Sequence, residues 1–229
     1  MNTLKIDGNG LKIIEALSRS PFEHYTIERI RELTDAKASY PTVYRKVDLL
    51  VKEGILSKSM YGMASQIRIN ISNENAISLL SLVEANKSES FLSKLKGILL
   101  TSIREVINDT RNIPEIKCIL VFGSYAKGTH NKNSDLDILV VYEPSSFMPK
   151  ESYENYVNDI KRSIMSIIKI NELKGSPIMN PIIVTSEEHR DMILNKDINV
   201  AKEALHAHLV LKGYGDYWRE VLGCGQRAG

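Results

Sequence analysis

Two short motifs separated by ten residues carry the side chains best suited to chemistry. Gly123-Ser124 follows an apolar run, and Asp135-Leu136-Asp137 opens a second one. Gly123 permits a sharp turn and a close approach to a ligand, and Ser124 offers a hydroxyl and an N–H group at the start of a predicted helix, where phosphates bind. Asp135 and Asp137 are two residues apart on a predicted strand, so both carboxylates project from one face. Paired carboxylates beside a phosphate cradle indicate a site for a divalent cation and a nucleotide.

This stretch resembles the nucleotidyltransferase superfamily that contains DNA polymerase beta, kanamycin nucleotidyltransferase and the minimal nucleotidyltransferases of prokaryotes. The signature is Gly-Ser, a spacer of roughly ten residues and Asp-x-Asp, and the wording at 123–128 and 134–138 matches the minimal branch closely. The resemblance implies transfer of a nucleoside monophosphate from an NTP, most often ATP, to a hydroxyl acceptor on protein, RNA or a small molecule, with Mg²⁺ as cofactor. Asp135 and Asp137 would be the catalytic metal ligands. The residues expected to hold the nucleotide are Gly123, Ser124, Lys127 and Gly128.

The third carboxylate that active members of this superfamily usually carry is not found on the next predicted strand. That strand, 176–184, contains neither Asp nor Glu and offers only Asn180, whose neutral amide oxygen is a weaker Mg²⁺ ligand than a carboxylate. Glu187 and Glu188 follow, at positions typical of a helix N-terminus. Three alternatives stay open: one firmly bound metal with Asn180 as a weak ligand, an acceptor that completes the site, or a fold that binds nucleotide without turnover.

Residues 9–70 carry the pattern of three helices followed by a hairpin. Apolar residues repeat at helical spacing in three segments. Thr26 and Ser39 stand where caps of the second and third helices are expected, and Gly54 stands where the third helix would end. From 55 to 69 the spacing changes to alternation on both sides of a Gly-containing tip, which predicts a β-hairpin.

This pattern, together with the wording at 39–47 and 50–56, resembles a winged helix-turn-helix domain. Residues 37–69 carry six cationic and two anionic side chains, a local net charge of +4 in a chain whose total is +2. The resemblance implies binding to double-stranded DNA, with the third helix in the major groove and the hairpin on backbone phosphates. The residues predicted to contact DNA are Tyr40, Thr42, Tyr44, Arg45, Lys46, Lys58 and Arg68. The alternative is a protein-docking module with an ordinary solvated face.

The predicted fold class is α+β, in three parts. Residues 1–72 form the winged helix-turn-helix domain, 73–111 a helical linker with a break near 86–88, and 112–229 a nucleotidyltransferase domain with a mixed sheet and flanking helices. The linker helices either pack within the chain or form the seam of a homodimer. In the last part the pattern predicts strands at 116–122, 136–142 and 178–184, a long helix through 153–168, and a helix capped by Ser186.

Composition and sequence pattern both predict a cytoplasmic protein without a membrane span. The sequence contains no apolar run of about 18 residues, which predicts no membrane span, and it begins without the pattern of a signal peptide. The two cysteines are distant and match no disulfide framework, as expected of a cytoplasmic protein. Two functions remain: a nucleotidyltransferase with a DNA-binding arm, and a regulator or antitoxin of a toxin–antitoxin operon whose nucleotidyltransferase fold is weakly active or inactive. The second function is implied by the resemblance alone, because small minimal nucleotidyltransferases often occur in toxin–antitoxin pairs.

Overall fold

The computed structural model describes residues 6–35, 37–62, 64–147, 149–173 and 176–227. The chain packs as two compact units. The first comprises the described residues up to Val83 and those from Val221 onward, and the second runs from Glu84 to Glu220.

Three helices and a hairpin form most of the first unit, as the sequence predicts. Thr26 caps the second helix, since its hydroxyl accepts a hydrogen bond from Arg29 N at 3.1 Å, and Gly54 follows the third helix with φ +72°. Ser39 is the N-cap residue of that helix, but its hydroxyl pairs with Thr42 Oγ1 at 2.8 Å and makes no capping bond. The elements are α1 (Gly8–Ser18), α2 (Ile27–Thr34), α3 (Tyr40–Lys52), and the antiparallel strands β1 (Leu56–Tyr61) and β2 (Ala64–Ile69).

The predicted break near 86–88 is wrong. Helix α4 runs without interruption over Glu74–Lys94, and α5 begins at Gly97 and ends at Asp109. The polar residues that suggested a break make specific contacts in the second unit. Ser88 donates a hydrogen bond to the carbonyl of Val210, and Lys87 forms an ion pair of 2.9 Å with the buried Glu84. A tertiary partner for Ser88 and an ion pair within the helix for Lys87 therefore keep these polar residues helical.

A mixed four-stranded sheet with flanking helices forms the second unit, in agreement with the predicted fold class. The strands lie in the order β5-β4-β3-β6, with β4 and β5 parallel and the other pairs antiparallel. The strands are β3 (Ile116–Val121), β4 (Leu136–Tyr142), β5 (Met179–Thr185) and β6 (Leu209–Lys212). The remaining helices are a 3₁₀ turn (Thr110–Asn112), α6 (Gly123–Lys127), α7 (Lys150–Ile170), α8 (Ser186–Leu194), α9 (Val200–His206) and α10 (Tyr214–Arg227).

The two faces of β4 have different environments. Leu136 and Ile138 belong to one apolar cluster with Ile164 and Ile168 of α7. Because side chains alternate along a strand, Asp137 lies on the opposite face. Burial of the apolar face fixes the register of β4 and therefore fixes which way Asp137 points.

Helix α8 begins one residue earlier than its predicted cap implies. The N-cap is Thr185 and not Ser186, and Thr185 forms a reciprocal capping box with Glu188. Glu188 is thus engaged at the helix N-terminus, as its sequence position indicates. Within the described ranges, no helix is both long enough and apolar enough to cross a membrane.

Candidate active site

Gly123 marks the centre of the candidate site. It follows β3 and begins α6 with φ +66°, a conformation that glycine adopts without strain. A Cβ atom at this position would overlap Oδ2 of Asp137 and lie 3.3 Å from its Cγ. A glycine is therefore needed both for the turn and for the close approach of the Asp137 carboxylate.

Asp137 is held by the strands on both sides. Its carbonyl accepts a hydrogen bond from Phe122 N at 3.1 Å, which ties the end of β3 to the start of β4. In the parallel register with β5, Asp137 lies opposite Asn180, and Asn180 Nδ2 donates to Asp137 Oδ1 at 3.1 Å. The Asn180 amide thus lies beside Asp137, at the position where the superfamily pattern predicts a third carboxylate, and it orients the Asp137 carboxylate.

Asp135 immediately precedes β4, and its side chain is exposed. The strand start is fixed by a hydrogen bond of 2.8 Å from Leu136 N to Ile178 O. Burial raises the pKa of the Tyr125 phenol, and the negative charge of Asp135 raises it further. The Tyr125 side chain is buried in the apolar cluster of the second unit, so packing explains this residue.

The other predicted nucleotide-binding residues lie on α6 or at its end. Ser124 is half-buried, and its carbonyl accepts from Thr129 N at 3.0 Å. Gly128 ends α6 with φ +71°. Lys127 Nζ forms an ion pair of 2.7 Å with Glu203 of α9, although both side chains are about half exposed. Sequence reasoning missed Glu203, because nothing local connects residues 76 positions apart.

The donors at this site suit a small hard cation. Over the residues that the structure describes, no group of three or more His, Cys, Asp or Glu side chains could hold a metal ion. Mg²⁺, however, is commonly held by one or two carboxylates together with substrate phosphates. Asp137 places one carboxylate against Gly123, and Asp135 adds an exposed carboxylate two residues earlier. These two side chains could hold a divalent cation together with substrate phosphates.

A surface depression lined in part by Tyr125 of α6 was not predicted. Its volume is about 450 Å³. The ring of His130 stacks on that of Tyr125, with centroids 4.1 Å apart and planes 10° apart. The depression is lined by Tyr125, His130, Asn131, Lys132, Ser176 and Pro177.

The predicted DNA contacts of the first unit are brought together only in part. The exposed rings of Tyr40 and Tyr44 stack with centroids 6.4 Å apart, and Lys58 Nζ lies 5.5 Å from the Tyr44 centroid. The exposed Arg45 donates to the Pro41 carbonyl at 3.2 Å within the first turns of α3. The cluster joins the start of α3 to the hairpin.

Three other predicted contacts lie apart from that cluster or are engaged locally. Arg68 is paired with Ser57 across the hairpin, whereas Lys58 is paired with Ile67, so the two cations lie on opposite hairpin faces. Lys46 forms an ion pair with Asp7, and this hydrogen bond lowers the pKa of the Asp7 carboxyl. Thr42 pairs with Ser39, as described above.

Comparison with known proteins places the second unit in a family. Residues 102–199 match the family described as polymerase beta, nucleotidyltransferase. Two relatives from Methanocaldococcus jannaschii, each named as a putative protein adenylyltransferase, are 34% identical over 98 residues and 33% identical over 94 residues. The alignments cover 42% and 39% of this chain and 91% of each relative. No solved structure matches the chain significantly. Since nine-tenths of such relatives are covered, the chain belongs to the polymerase beta nucleotidyltransferase family.

Proposed function

We propose that the second unit transfers AMP from ATP to a hydroxyl group of a protein, with Mg²⁺ as the cofactor. The contact between the Asp137 carboxylate and the backbone of Gly123 carries the proposal, because it sets a metal-binding group directly beside a predicted phosphate-binding turn. The choice of ATP and of a protein acceptor follows the names of the relatives, which are putative protein adenylyltransferases.

The proposed reaction is an in-line displacement at the α-phosphorus. The acceptor oxygen forms a bond to phosphorus, the bond to the β-phosphate oxygen breaks, pyrophosphate leaves, and the hydroxyl proton is released. Bound Mg²⁺ would neutralise charge on the phosphate oxygens. Ser124 would bind a phosphate oxygen through its hydroxyl and N–H, and Lys127 would add a positive charge.

Asn180 has a defined part in this proposal. Its amide donates to Asp137 Oδ1 at 3.1 Å and so fixes the orientation of the carboxylate that faces Gly123. An amide brings no negative charge, so the site binds metal less tightly than a site with three carboxylates would. We therefore expect activity that needs millimolar Mg²⁺. Direct ligation of the metal by Asn180 stays a prediction.

Radiolabelled ATP tests the enzyme proposal. The wild-type protein with Mg²⁺ should transfer label to a protein in cell extract, and the double variant Asp135→Asn, Asp137→Asn should transfer none, since it removes both metal-binding charges. Asp159→Asn is the matched control, because Asp159 is an exposed carboxylate of α7 that pairs only with the exposed Arg162 among the described residues. The enzyme proposal fails if the wild type labels nothing, or if the double variant labels as well as the control.

A second function, DNA binding by the first unit as a winged helix, is favoured by the position of Lys58 over the Tyr44 ring. In this proposal Lys58 of the hairpin and Tyr44 of α3 would act together with Arg45, which is exposed on the same helix. In this proposal the nucleotidyltransferase fold serves a regulator or antitoxin, whether it turns over ATP or only binds it. A protein of this kind would bind its own promoter region.

Promoter DNA tests the second function. Arg45→Ala should weaken binding and reduce its salt dependence, because one phosphate contact is lost. Arg162→Ala is the control, since Arg162 is an exposed arginine of the second unit. No binding by the wild type at low salt, or equal losses in both variants, would exclude the proposed surface.

A further inference from the structure

We propose that the depression lined by His130 binds the nucleobase of the nucleotide, with the imidazole ring as its stacking platform. This inference rests on the proposed nucleotidyl transfer and adds the place where the base is held. The volume of about 450 Å³ lies within the range of small-ligand sites, roughly 300–1,000 Å³.

The platform is built on a fixed ring. Tyr125 is only 5% exposed and is packed in the apolar cluster of the second unit. His130 is exposed and lies nearly parallel to it, with 4.1 Å between centroids. One face of the imidazole is thus supported while the side chain stays accessible. Planar bases stack on such rings, and each stack contributes about 1–3 kcal/mol to nucleic-acid binding.

The loop beside the platform is ordered by its own hydrogen bonds. Asn131 N donates to Ser134 Oγ at 2.9 Å, and Ser134 N donates to the Asn131 carbonyl at 3.1 Å. Asn131 Oδ1 accepts from Asn133 N at 2.8 Å. The side-chain Nδ2 of Asn131 is left to donate to a base edge, and Lys132 has no ion pair with any described residue. Asn131 Nδ2 and the Lys132 ammonium group are therefore available to form hydrogen bonds with a ligand.

The residues that line the depression are linked along the chain to those of the candidate active site. Tyr125 directly follows Ser124, and the loop that carries His130 leads into Asp135. Pro177 precedes Ile178, whose carbonyl fixes the start of β4 through Leu136 N at 2.8 Å. A nucleotide whose phosphates bind at Ser124 and the two aspartates would reach the depression by extending across the start of β4.

A base fits the depression better than an acceptor side chain does. The depression offers one group for each part of a nucleotide. The His130 ring would stack on the face of the base, the Asn131 amide would donate to its edge, and the Lys132 ammonium group would lie near the phosphates. An acceptor side chain belongs to a folded protein and requires access along a broad surface. Binding of the acceptor here is therefore the competing outcome that the experiment must detect.

Calorimetry with two ligands tests the inference. The α,β-methylene analogue of ATP, which cannot transfer AMP, carries the base, whereas tripolyphosphate has phosphates alone. With Mg²⁺ present, His130→Ala should weaken analogue binding by about five- to hundredfold and leave tripolyphosphate binding unchanged. His130→Phe should retain most of the affinity for the analogue, because it keeps a flat ring. Ser124→Ala should weaken both ligands.

The possible outcomes separate the two proposals. If the wild type binds neither ligand, the proposed function itself fails and the inference falls with it. If the wild type binds both and His130→Ala changes neither or weakens both equally, only the base site is overturned. If His130→Ala keeps analogue affinity but loses label transfer to protein, the depression holds the acceptor and the inference is wrong. Because His130 is exposed, thermal melting of the variants should match that of the wild type.

Discussion

The two units hold their candidate functional groups in different ways. In the second unit the backbone positions them: Gly123 has φ +66° and is in contact with Asp137, and strand register places Asn180 opposite. In the first unit the candidate groups are the ends of exposed side chains, such as Lys58, which lies 5.5 Å from the Tyr44 ring. One site is specified by main-chain geometry and the other by surface charge.

This difference predicts how each unit responds to substitution. A catalytic group that is in contact with the backbone cannot move aside, so a single methyl group added to the backbone displaces it. A displacement of 1 Å can lower the reaction rate a hundredfold. A cation on a flexible side chain acts through screened charge, and each contact contributes little. The effects expected below follow this order.

The largest effect is expected for Gly123→Ala. The added Cβ would overlap the Asp137 carboxylate and displace a proposed metal ligand, so label transfer should fall by about a hundredfold or more. Positive φ adds a conformational cost of about 1–2 kcal/mol for a non-glycine residue. Single-turnover transfer of label from ATP measures the first effect, and urea unfolding measures the second.

Gly97→Ala is the matched control for this prediction. Gly97, at the start of α5, has φ +62°, close to the value at Gly123, but a Cβ there would meet no atom within 4 Å. Both variants should therefore lose similar stability, and only Gly123→Ala should lose the activity. Equal losses of activity would show that positive φ, and not contact with Asp137, makes glycine necessary.

An acid-sensitive histidine gives the second prediction. Burial lowers the pKa of His189 on α8 to about 4, and the charge of Arg190 lowers it further. The unfolded chain binds this proton at a pKa of 6.5, so the unfolded state gains protons first as the pH falls. The free energy of unfolding should be unaffected above pH 6.5 and should decrease by about 2 kcal/mol at pH 5.

Fluorescence of Trp218 can follow this loss, since it is the single tryptophan and is fully buried in the second unit. His189→Gln should unfold with a flatter pH profile between 6.5 and 5, because it has no titrating group at this position. The one histidine of the first unit, His24, is exposed. An unchanged profile in His189→Gln would assign the acid sensitivity to other groups.

Local pattern was sufficient to predict the centre of the candidate site. Gly123 and the strand that carries Asp137 follow from an apolar run, a turn residue and alternation, which are properties of neighbouring residues. Asn180 was also found, because β5 is a continuous apolar run interrupted at one polar position. Strand register then placed it opposite Asp137.

Contacts between distant residues account for what sequence reasoning missed. The break predicted at 86–88 does not occur because Ser88 has a partner at Val210. Residues 223–229 contain three glycines, which disfavour a helix, yet α10 extends to Arg227. Gly225 packs so closely against Phe22 that a Cβ would lie 2.7 Å from its ring. A single sequence shows the glycine but not the ring that requires it.

A smaller effect is expected in the first unit when Lys58 is replaced. Lys58→Ala should weaken DNA binding several-fold and lower the slope of log affinity against log salt by about 0.9, the value for one lost phosphate contact. Lys46→Ala should change the slope less, because Lys46 already pairs with Asp7. Titration of promoter DNA at several salt concentrations measures both slopes. A larger change for Lys46 would reverse the assignment of these two lysines.

The smallest effect concerns a cation of the second unit that resembles those of the first. Lys127 is exposed and pairs with Glu203 at 2.7 Å, so a triphosphate would have to compete with this carboxylate for the ammonium group. Exposed ion pairs contribute about 1 kcal/mol or less, so Glu203→Gln should strengthen binding of the methylene analogue of ATP by at most about fivefold. Lys127→Ala should weaken binding, and Glu203→Gln should add nothing in that background. A gain from Glu203→Gln that persists without Lys127 would mean that Glu203 repels the phosphates directly, and calorimetry of the double variant decides between the two.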